Sequence, residues 1–149
     1  MAKSRERIRS YMDKRIRWWS NILWLNSWEI SAELKEKDEG DRDGKMFGVA
    51  AEAEYESRYQ HGHITLYYDR LKDKSWNKLD KIASHEVSHL LLAEIDSFMD
   101  DIKEELPASQ KNFVENRWGE VREAFTSQQP AGICLHWRTE NTPSHLVTS

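Results

Sequence analysis

Two histidines separated by three residues, with a glutamate directly after the first, form the most chemically specific feature of the sequence. They are His85, Glu86 and His89. On an α-helix, residues i and i+4 lie one turn apart on the same face, so both imidazoles can bind one ion. Glu86 lies about 100° round the helix, within reach of a water in the open position of that ion. The spacing is typical of zinc-dependent hydrolysis, because zinc lowers the pKa of a water whose proton a neighbouring carboxylate can accept.

Apolar residues recur at helical spacing before and after this motif and predict a long amphipathic helix. They are Leu79, Ile82, Ala83, Val87, Leu90, Leu91, Ile95 and Phe98. We expect Ser75 to cap the N-terminus of this helix, and acidic residues followed by Pro107 to end it. The motif is therefore expected midway along one helix.

A zinc hydrolase needs a third protein ligand. The extended metzincin pattern puts a glycine three residues after the second histidine and a further ligand six residues after it. The sequence has Leu92 and Ile95 at those two places, so that pattern is excluded. Asp96, seven residues beyond His89 on the same predicted helix, cannot fold back towards the ion. The third ligand is therefore expected on a later helix.

A last helix is predicted at about 108–125, and its glutamates Glu115, Glu120 and Glu123 are candidate ligands. The apolar stripe of Val114, Trp118, Val121 and Phe125 is taken to face the core. At about 100° per residue, Glu115 lies about 100° from Val114, Glu120 about 120° away on the other side, and Glu123 nearly opposite. Glu115 borders Val114 and is nearest the start of the helix. It is the preferred third ligand, with Glu120 as the alternative.

The residues before the motif alternate between apolar and polar side chains and predict three strands. These strands are expected at Trp28–Leu34, at about 47–59 and at His63–Tyr68, with a charged loop at 37–44 and a tight turn at 60–62. Together they predict a small antiparallel meander with one exposed face. An amphipathic helix at about 4–19 precedes them. The predicted fold class is α+β, with the helices on one face of a three-stranded antiparallel sheet.

The length of 149 residues fits one domain, with a core at about 25–125 and an irregular tail at 126–149. The net charge of −4 argues against a generally basic nucleic-acid binder. Residues 1–20 nevertheless carry seven basic against two acidic side chains, and residues 29–56 carry ten acidic against four basic ones. These segments are expected to be solvated faces. Nucleic-acid binding through the basic N-terminal helix is the alternative.

Composition also bears on the compartment in which the chain works. The longest apolar run falls far short of the roughly 20 residues that cross a bilayer, so no membrane partner is expected. The N-terminal segment has basic residues without an apolar stretch, which argues against a secretory signal. Cys134 is the only cysteine. Since an intramolecular disulfide is impossible, the reducing cytoplasm is the predicted location.

The strand His63–Tyr68, the segment Ile82–Leu91 and the later glutamate-bearing helix together resemble the gluzincin class of zinc metallopeptidases. The chain is most similar to the very short minigluzincins and to small metallopeptidase-like proteins of phages and prophages. The Trp28-Glu-Ile strand resembles the same phage proteins. The resemblance covers about 25–125, and the HExxH segment is its specific part. It implies a hydrolase of phage origin that acts in the cytoplasm of the host cell.

Carried over by position, the resemblance implies Zn²⁺ held by His85, His89 and Glu115, with Glu86 as general base on a zinc-bound water. It also implies a peptide or protein substrate that pairs with an edge strand, here expected at 63–68. The last helix departs from the family pattern, because Gly119 interrupts it and no second acid follows Glu115 directly. The alternative function is a catalytically silent, zinc-containing module that binds a protein or nucleic acid.

Two further roles are open from residue type alone. Tyr67, Tyr68, His136 and His145 have side chains that can donate a hydrogen bond to a developing oxyanion. Cys134 or His136 could occupy the open zinc position and keep the enzyme latent, against the simpler interpretation of Cys134 as a small buried apolar side chain.

Overall fold

The computed structural model describes the backbone of residues 1–37 and 49–141, and side chains as far as Ser127. Its elements are α1 (Arg5–Ile22), β1 (Glu29–Lys35), β2 (Ala51–Glu56), a 3₁₀ turn (Ser57–Tyr59), β3 (His61–Tyr67), α2 (Tyr68–Leu71), α3 (Trp76–Leu91), α4 (Ala93–Glu105) and α5 (Ala108–Asn141). The α+β class and the predicted order of helix, three strands and helices are confirmed. Most of the predicted loop at 37–44 lies outside the described residues.

The sheet has the strand order β1–β3–β2, with β3 in the centre. β2 runs antiparallel to β3, with Ala53 opposite Ile64, whereas β1 runs parallel to β3, with Ala32 opposite the same residue. The predicted fully antiparallel meander is therefore wrong for β1, which pairs with β3 and not with β2. Alternation of apolar and polar residues shows which face of a strand is buried, but it carries no information on which neighbour the strand pairs with.

The boundary between β2 and β3 also differs from the prediction. β2 ends at Glu56, and residues 57–59 form the 3₁₀ turn instead of continuing the strand. Gln60 then adopts a left-handed conformation with φ of 55°, and its backbone N–H donates to the carbonyl of Ser57. This reversal lets β3 begin at His61, two residues earlier than predicted.

The apolar face of the sheet packs against α1 and α3. The core residues there include Ile8, Met12, Ile16, Trp19, Ile64, Leu66, Leu79, Ala83, Val87 and Leu90. β3 approaches α3 closely at Gly62, where an added Cβ would lie 2.7 Å from a terminal methyl of Leu90. Ser75 caps α3 as predicted, since its hydroxyl accepts from the backbone N–H of Lys78 at 3.2 Å. α3 is thus fixed along its length by the core and at its start by the cap.

The long helix predicted to continue through Phe98 is divided in two at Leu92. α3 ends at Leu91 and α4 begins at Ala93, so the helix is interrupted three residues after the HExxH motif. As a result Ile95 and Phe98, predicted to continue the buried stripe, are exposed. α4 buries only Ala93 and Asp96.

α5 continues to Asn141, well beyond the predicted end at 125. The expected irregular tail is therefore helical from 126 to 141, and residues 142–149, including His145, lie outside the described residues. The loss of apolar periodicity after Phe125 marks the loss of a buried face, which the sequence does not distinguish from the end of a helix. The side chains of Cys134 and His136 also lie outside the described part. Within that part, none of the helices combines the length and apolar character needed to span a membrane.

Candidate metal centre

His85 and His89 lie on the same face of α3, as their spacing requires. Their Nε2 atoms are 3.1 Å apart, and the two rings meet edge to face with centroids 4.8 Å apart. Both nitrogens therefore face one point beside the helix. Burial lowers the pKa of His89, and the neighbouring His85 lowers it further. A lowered pKa favours the neutral imidazole, which is the form that binds a metal.

Glu123 of α5 brings a carboxylate to the same point. One of its oxygens lies 3.7 Å from Nε2 of His85 and the other lies 3.7 Å from Nε2 of His89. One ligand atom from each of the three residues can be chosen so that all lie within 4.8 Å of one another. Zinc bonds of about 2.0–2.1 Å at tetrahedral angles put ligand atoms about 3.3 Å apart. The two imidazoles and one carboxylate therefore fit zinc in both donor type and spacing.

The structure places Glu123, and neither Glu115 nor Glu120, beside the histidines. Glu115 is eight residues earlier on α5, which is about 12 Å along the axis of a helix. Its carboxylate instead contributes to the raised pKa of Lys103. Glu120 forms an ion pair with Arg117 at 3.2 Å. The predicted third ligand, Glu115, therefore lies apart from the two histidines, and Glu123 lies beside them.

The inward face of α5 differs from the predicted one. The apolar stripe predicts that Val121 faces the core, but its side chain is 42% exposed. The residues that do face inward include the polar Arg122 in addition to Val114, Trp118 and Phe125. The pattern of apolar residues does not indicate this face, because Arg122 and the indole N–H of Trp118 face inward towards the carboxylate of Asp96 on α4.

Glu86, next to the first histidine, is only 7% exposed. Burial raises the pKa of its carboxyl to about 7, with the negative charges of Glu123 and Glu52 adding to the effect. A general base is most effective when its pKa is near the working pH. A cation bound by the neighbouring residues would lower this pKa and favour the carboxylate. Glu86 is thus a buried carboxyl with a raised pKa, directly beside the first histidine in the sequence.

A cleft of about 500 Å³ opens beside His85 and Glu86, between β2, α3 and α5. Ala51 and Ile82 give it an apolar wall, and Thr126 and Ser127 of α5 line the opposite side. The hydroxyl of Ser127 lies 3.5 Å from Nδ1 of His85, on the side of the ring that faces away from Glu123. A partner at Nδ1 is the usual means of orienting a metal-binding histidine.

The strand at the edge of the sheet beside this cleft is β2. Residues 63–67 of the segment 63–68, predicted as the edge strand, lie in the centre of the sheet as part of β3, so that prediction is wrong. Of the proposed oxyanion donors, Tyr67 donates its hydroxyl proton to Glu52 at 2.8 Å, and Tyr68 donates to the backbone carbonyl of Lys3. Both hydroxyl protons are therefore donated to acceptors other than the histidines.

The basic helix α1 is partly neutralised within the fold. Arg5 forms an ion pair with Glu36, and Arg15 forms one with Asp80. The guanidinium of Arg7 lies over the ring of Trp76, 5.5 Å from its centroid. Trp19 is buried in the core, so it cannot stack on a base. These contacts reduce the charge and the aromatic surface that α1 offers to a nucleic acid, whose binding stays an untested alternative.

Comparison with known proteins gives no assignment. No protein-family model, curated protein or solved structure matches this chain.

Proposed function

We propose that the chain is a zinc-dependent metallopeptidase in which His85, His89 and Glu123 hold the ion and Glu86 is the general base. The observation that carries the proposal is the position of Glu123. Its carboxylate comes from a separate helix, 34 residues after His89, and yet lies 3.7 Å from both imidazoles. A solvent-exposed glutamate has no need of that position for folding, whereas a three-ligand zinc site requires it.

Zinc held by these residues would polarise a substrate carbonyl and make a bound water more acidic. The chain supplies the proton transfers. A carboxylate oxygen of Glu86 accepts the proton of the attacking water and then delivers it to the nitrogen of the leaving amine. Burial of Glu86 supports this role, because it raises the proton affinity of the carboxylate that must accept the proton.

The edge strand β2 is the proposed binding surface for an extended peptide. It packs against α3, and Ala51 at its start lines the cleft beside His85 and Glu86. A substrate segment that paired with the free edge of β2 would pass directly over this cleft. We place the activity in the cytoplasm, as the single cysteine favours.

Elemental analysis of protein purified without an affinity tag or added metal tests the metal centre. We expect about one zinc per chain, and no zinc together with no uptake on titration would contradict the proposal. The catalytic role is tested by Glu86→Gln, which preserves the shape of the side chain and removes the base.

The Glu86→Gln variant should retain zinc and lose cleavage of a peptide library, as followed by mass spectrometry. Glu120→Gln, on the exposed surface of α5 where the side chain pairs with Arg117, is the control and should cleave like the unaltered chain. A chain that binds zinc and cleaves nothing in either form would favour the silent zinc-containing module. Retention of full cleavage in Glu86→Gln would exclude Glu86 as the base.

A further inference from the structure

Asp96 is a buried carboxylate that joins three elements. It lies on α4 and is only 3% exposed. Its Oδ2 accepts a hydrogen bond from the hydroxyl of Tyr55 on β2 at 2.7 Å, and its Oδ1 accepts one from Nε1 of Trp118 on α5 at 2.6 Å. The guanidinium of Arg122 lies 3.6 Å from the same Oδ1. Such an arrangement satisfies both oxygens of a carboxylate that would be costly to bury alone.

The contacts of Asp96 with α5 determine how that helix is rotated about its axis and where it lies along the axis. Trp118 and Arg122 are four residues apart, so they lie one turn apart on the same face. Holding both against one carboxylate fixes the rotation of α5 about its axis and its position along the axis. Glu123 is the next residue after Arg122, about 100° further round the helix. The same contacts therefore fix where the Glu123 carboxylate lies.

The apolar side chains that α5 turns inward are mostly half-buried. They are Val114, Trp118 and Phe125. Among the residues whose side chains the structure describes, Thr126 is the only one that α5 buries fully, and Phe113 and Val121 are exposed. Half-buried apolar contacts determine the rotation of a helix less sharply than a fully buried stripe does. The directional bonds to Asp96 then select one position.

We infer that Asp96 is the positioning residue that holds Glu123 at the metal centre, which rests on the metal centre proposed above. Asp96 does not reach the ion. It acts through Trp118 and Arg122, which carry the effect to the neighbouring Glu123. Partners that orient a metal ligand in this way typically contribute about 10–100-fold to metal affinity.

The test is the zinc dissociation constant of Asp96→Asn, measured by competition with a chromophoric chelator. Asparagine has the same shape, but it lacks the charge that faces Arg122 and puts an amide nitrogen at one oxygen position. We expect the dissociation constant to rise about 10–100-fold. In a Glu123→Ala background the same substitution should change it by less than about twofold, because the ligand through which Asp96 acts is absent.

Asp80 provides a matched control. It too is buried and accepts hydrogen bonds from a tryptophan indole, that of Trp19, and from an arginine, Arg15. Its bonds to Trp19 and Arg15 join α1 to α3. Asp80→Asn should lower the stability of the fold and leave the zinc dissociation constant within about twofold of that of the unaltered chain. A comparable loss of zinc affinity in Asp80→Asn would show general loosening of the fold and overturn the inference.

If the Asp96→Asn chain fails to fold, two measurements on Trp118→Phe test the inference in its place. Trp118→Phe removes only the indole N–H and should weaken zinc binding in the same direction, by a smaller factor. Hydrogen exchange of the metal-free Trp118→Phe chain should be faster in α5 around residues 118–126 and unchanged in α3. The inference would be overturned if zinc affinity were unaltered both in Trp118→Phe and in a folded Asp96→Asn chain. It would also be overturned if Asp96→Asn lowered zinc affinity equally in the presence and in the absence of Glu123. Absence of zinc binding by the unaltered chain would instead overturn the metal centre itself.

Discussion

Two buried aspartates, Asp80 and Asp96, lie in regions where different kinds of contact hold the helices in place. Both accept a hydrogen bond from a tryptophan indole and both face an arginine. Around Asp80, α1 and α3 also share a continuous apolar core with the sheet. Around Asp96, α4 buries one other residue and the exposed aromatic side chains remain in solvent. In the first region the polar contacts add to a helix position that the core already fixes, and in the second they determine it.

The proposed metal centre lies across the boundary of these regions. α3 supplies His85, Glu86 and His89 from the packed region, and α5 supplies Glu123 from the other. The two proposed ligands and the proposed base on α3 therefore have fixed positions, and the position of the third proposed ligand depends on a few directional contacts. Such a division would let the ion itself contribute to docking α5, since a metal that binds only the assembled site stabilises that arrangement.

The largest expected effect tests the packing of the first region. Leu79, on α3, is fully buried, and Leu79→Ala should lower the free energy of unfolding by about 2–5 kcal/mol. Phe113, on α5, is mostly exposed, and Phe113→Ala should change it by about 0.5 kcal/mol or less. Urea unfolding followed by circular dichroism measures both. Equal losses in the two variants would show that α5 is packed as firmly as α3.

The second prediction concerns the pH dependence of the metal-free protein. Burial raises the pKa of Glu86 from 4.5 to about 7. Between these values the unfolded chain has lost this proton and the folded chain retains it, so stability falls as the pH rises through that window and is level above it. The total penalty is up to about 3 kcal/mol. Below pH 4.5 the group contributes no difference.

Glu86→Gln removes this titration. In the presence of a chelator, the variant should gain stability relative to the unaltered chain as the pH rises from 4.5 to 7, as measured by urea unfolding at several pH values. With zinc bound the gain should shrink, because a cation favours the carboxylate that the variant lacks. A stability difference that stays constant across this range would show that Glu86 titrates normally and is not held in the packed region.

The third prediction compares three glutamates of α5, Glu123, Glu120 and Glu115. Glu123→Ala removes a ligand and should raise the zinc dissociation constant by at least about 100-fold, since even partners that only orient ligands contribute 10–100-fold. Glu120→Ala removes a carboxylate that pairs with Arg117 on the surface and should leave the constant unchanged. Glu115→Ala should behave in the same way. A loss of zinc affinity in Glu115→Ala in place of Glu123→Ala would restore the assignment made from the sequence.

The same contrast explains what the sequence could and could not predict. The helix around His85 and the cap at Ser75 follow from local spacing, because short-range periodicity determines them. The position of Glu123 does not, since the inward face of α5 contains Arg122 and is oriented by a carboxylate on another helix. The pairing of β1 with β3 was missed for a related reason, as alternation fixes a buried face but not a neighbour.

The smallest predicted effect comes from two glycines, one in each region. Gly119 lies within α5, and a Cβ added there would have no atom within 4 Å. Gly119→Ala should therefore stabilise the chain by about 0.5–1 kcal/mol, because alanine is the better helix former and nothing has to move. Gly62→Ala should destabilise it, since the new methyl would lie 2.7 Å from Leu90. Thermal unfolding of the two variants measures both signs.

The glycine pair also tests whether the looseness of α5 limits zinc binding. A more stable helix that is still positioned by Asp96 should bind zinc as the unaltered chain does, because Gly119→Ala changes helix propensity and leaves the contacts of Trp118 and Arg122 in place. Gly119→Ala can also be combined with Asp96→Asn. If the double variant regained the zinc affinity that Asp96→Asn alone loses, Asp96 would act by preventing the fraying of α5 and not by fixing its rotation. The two regions would then differ in local helix stability more than in how their helices are oriented.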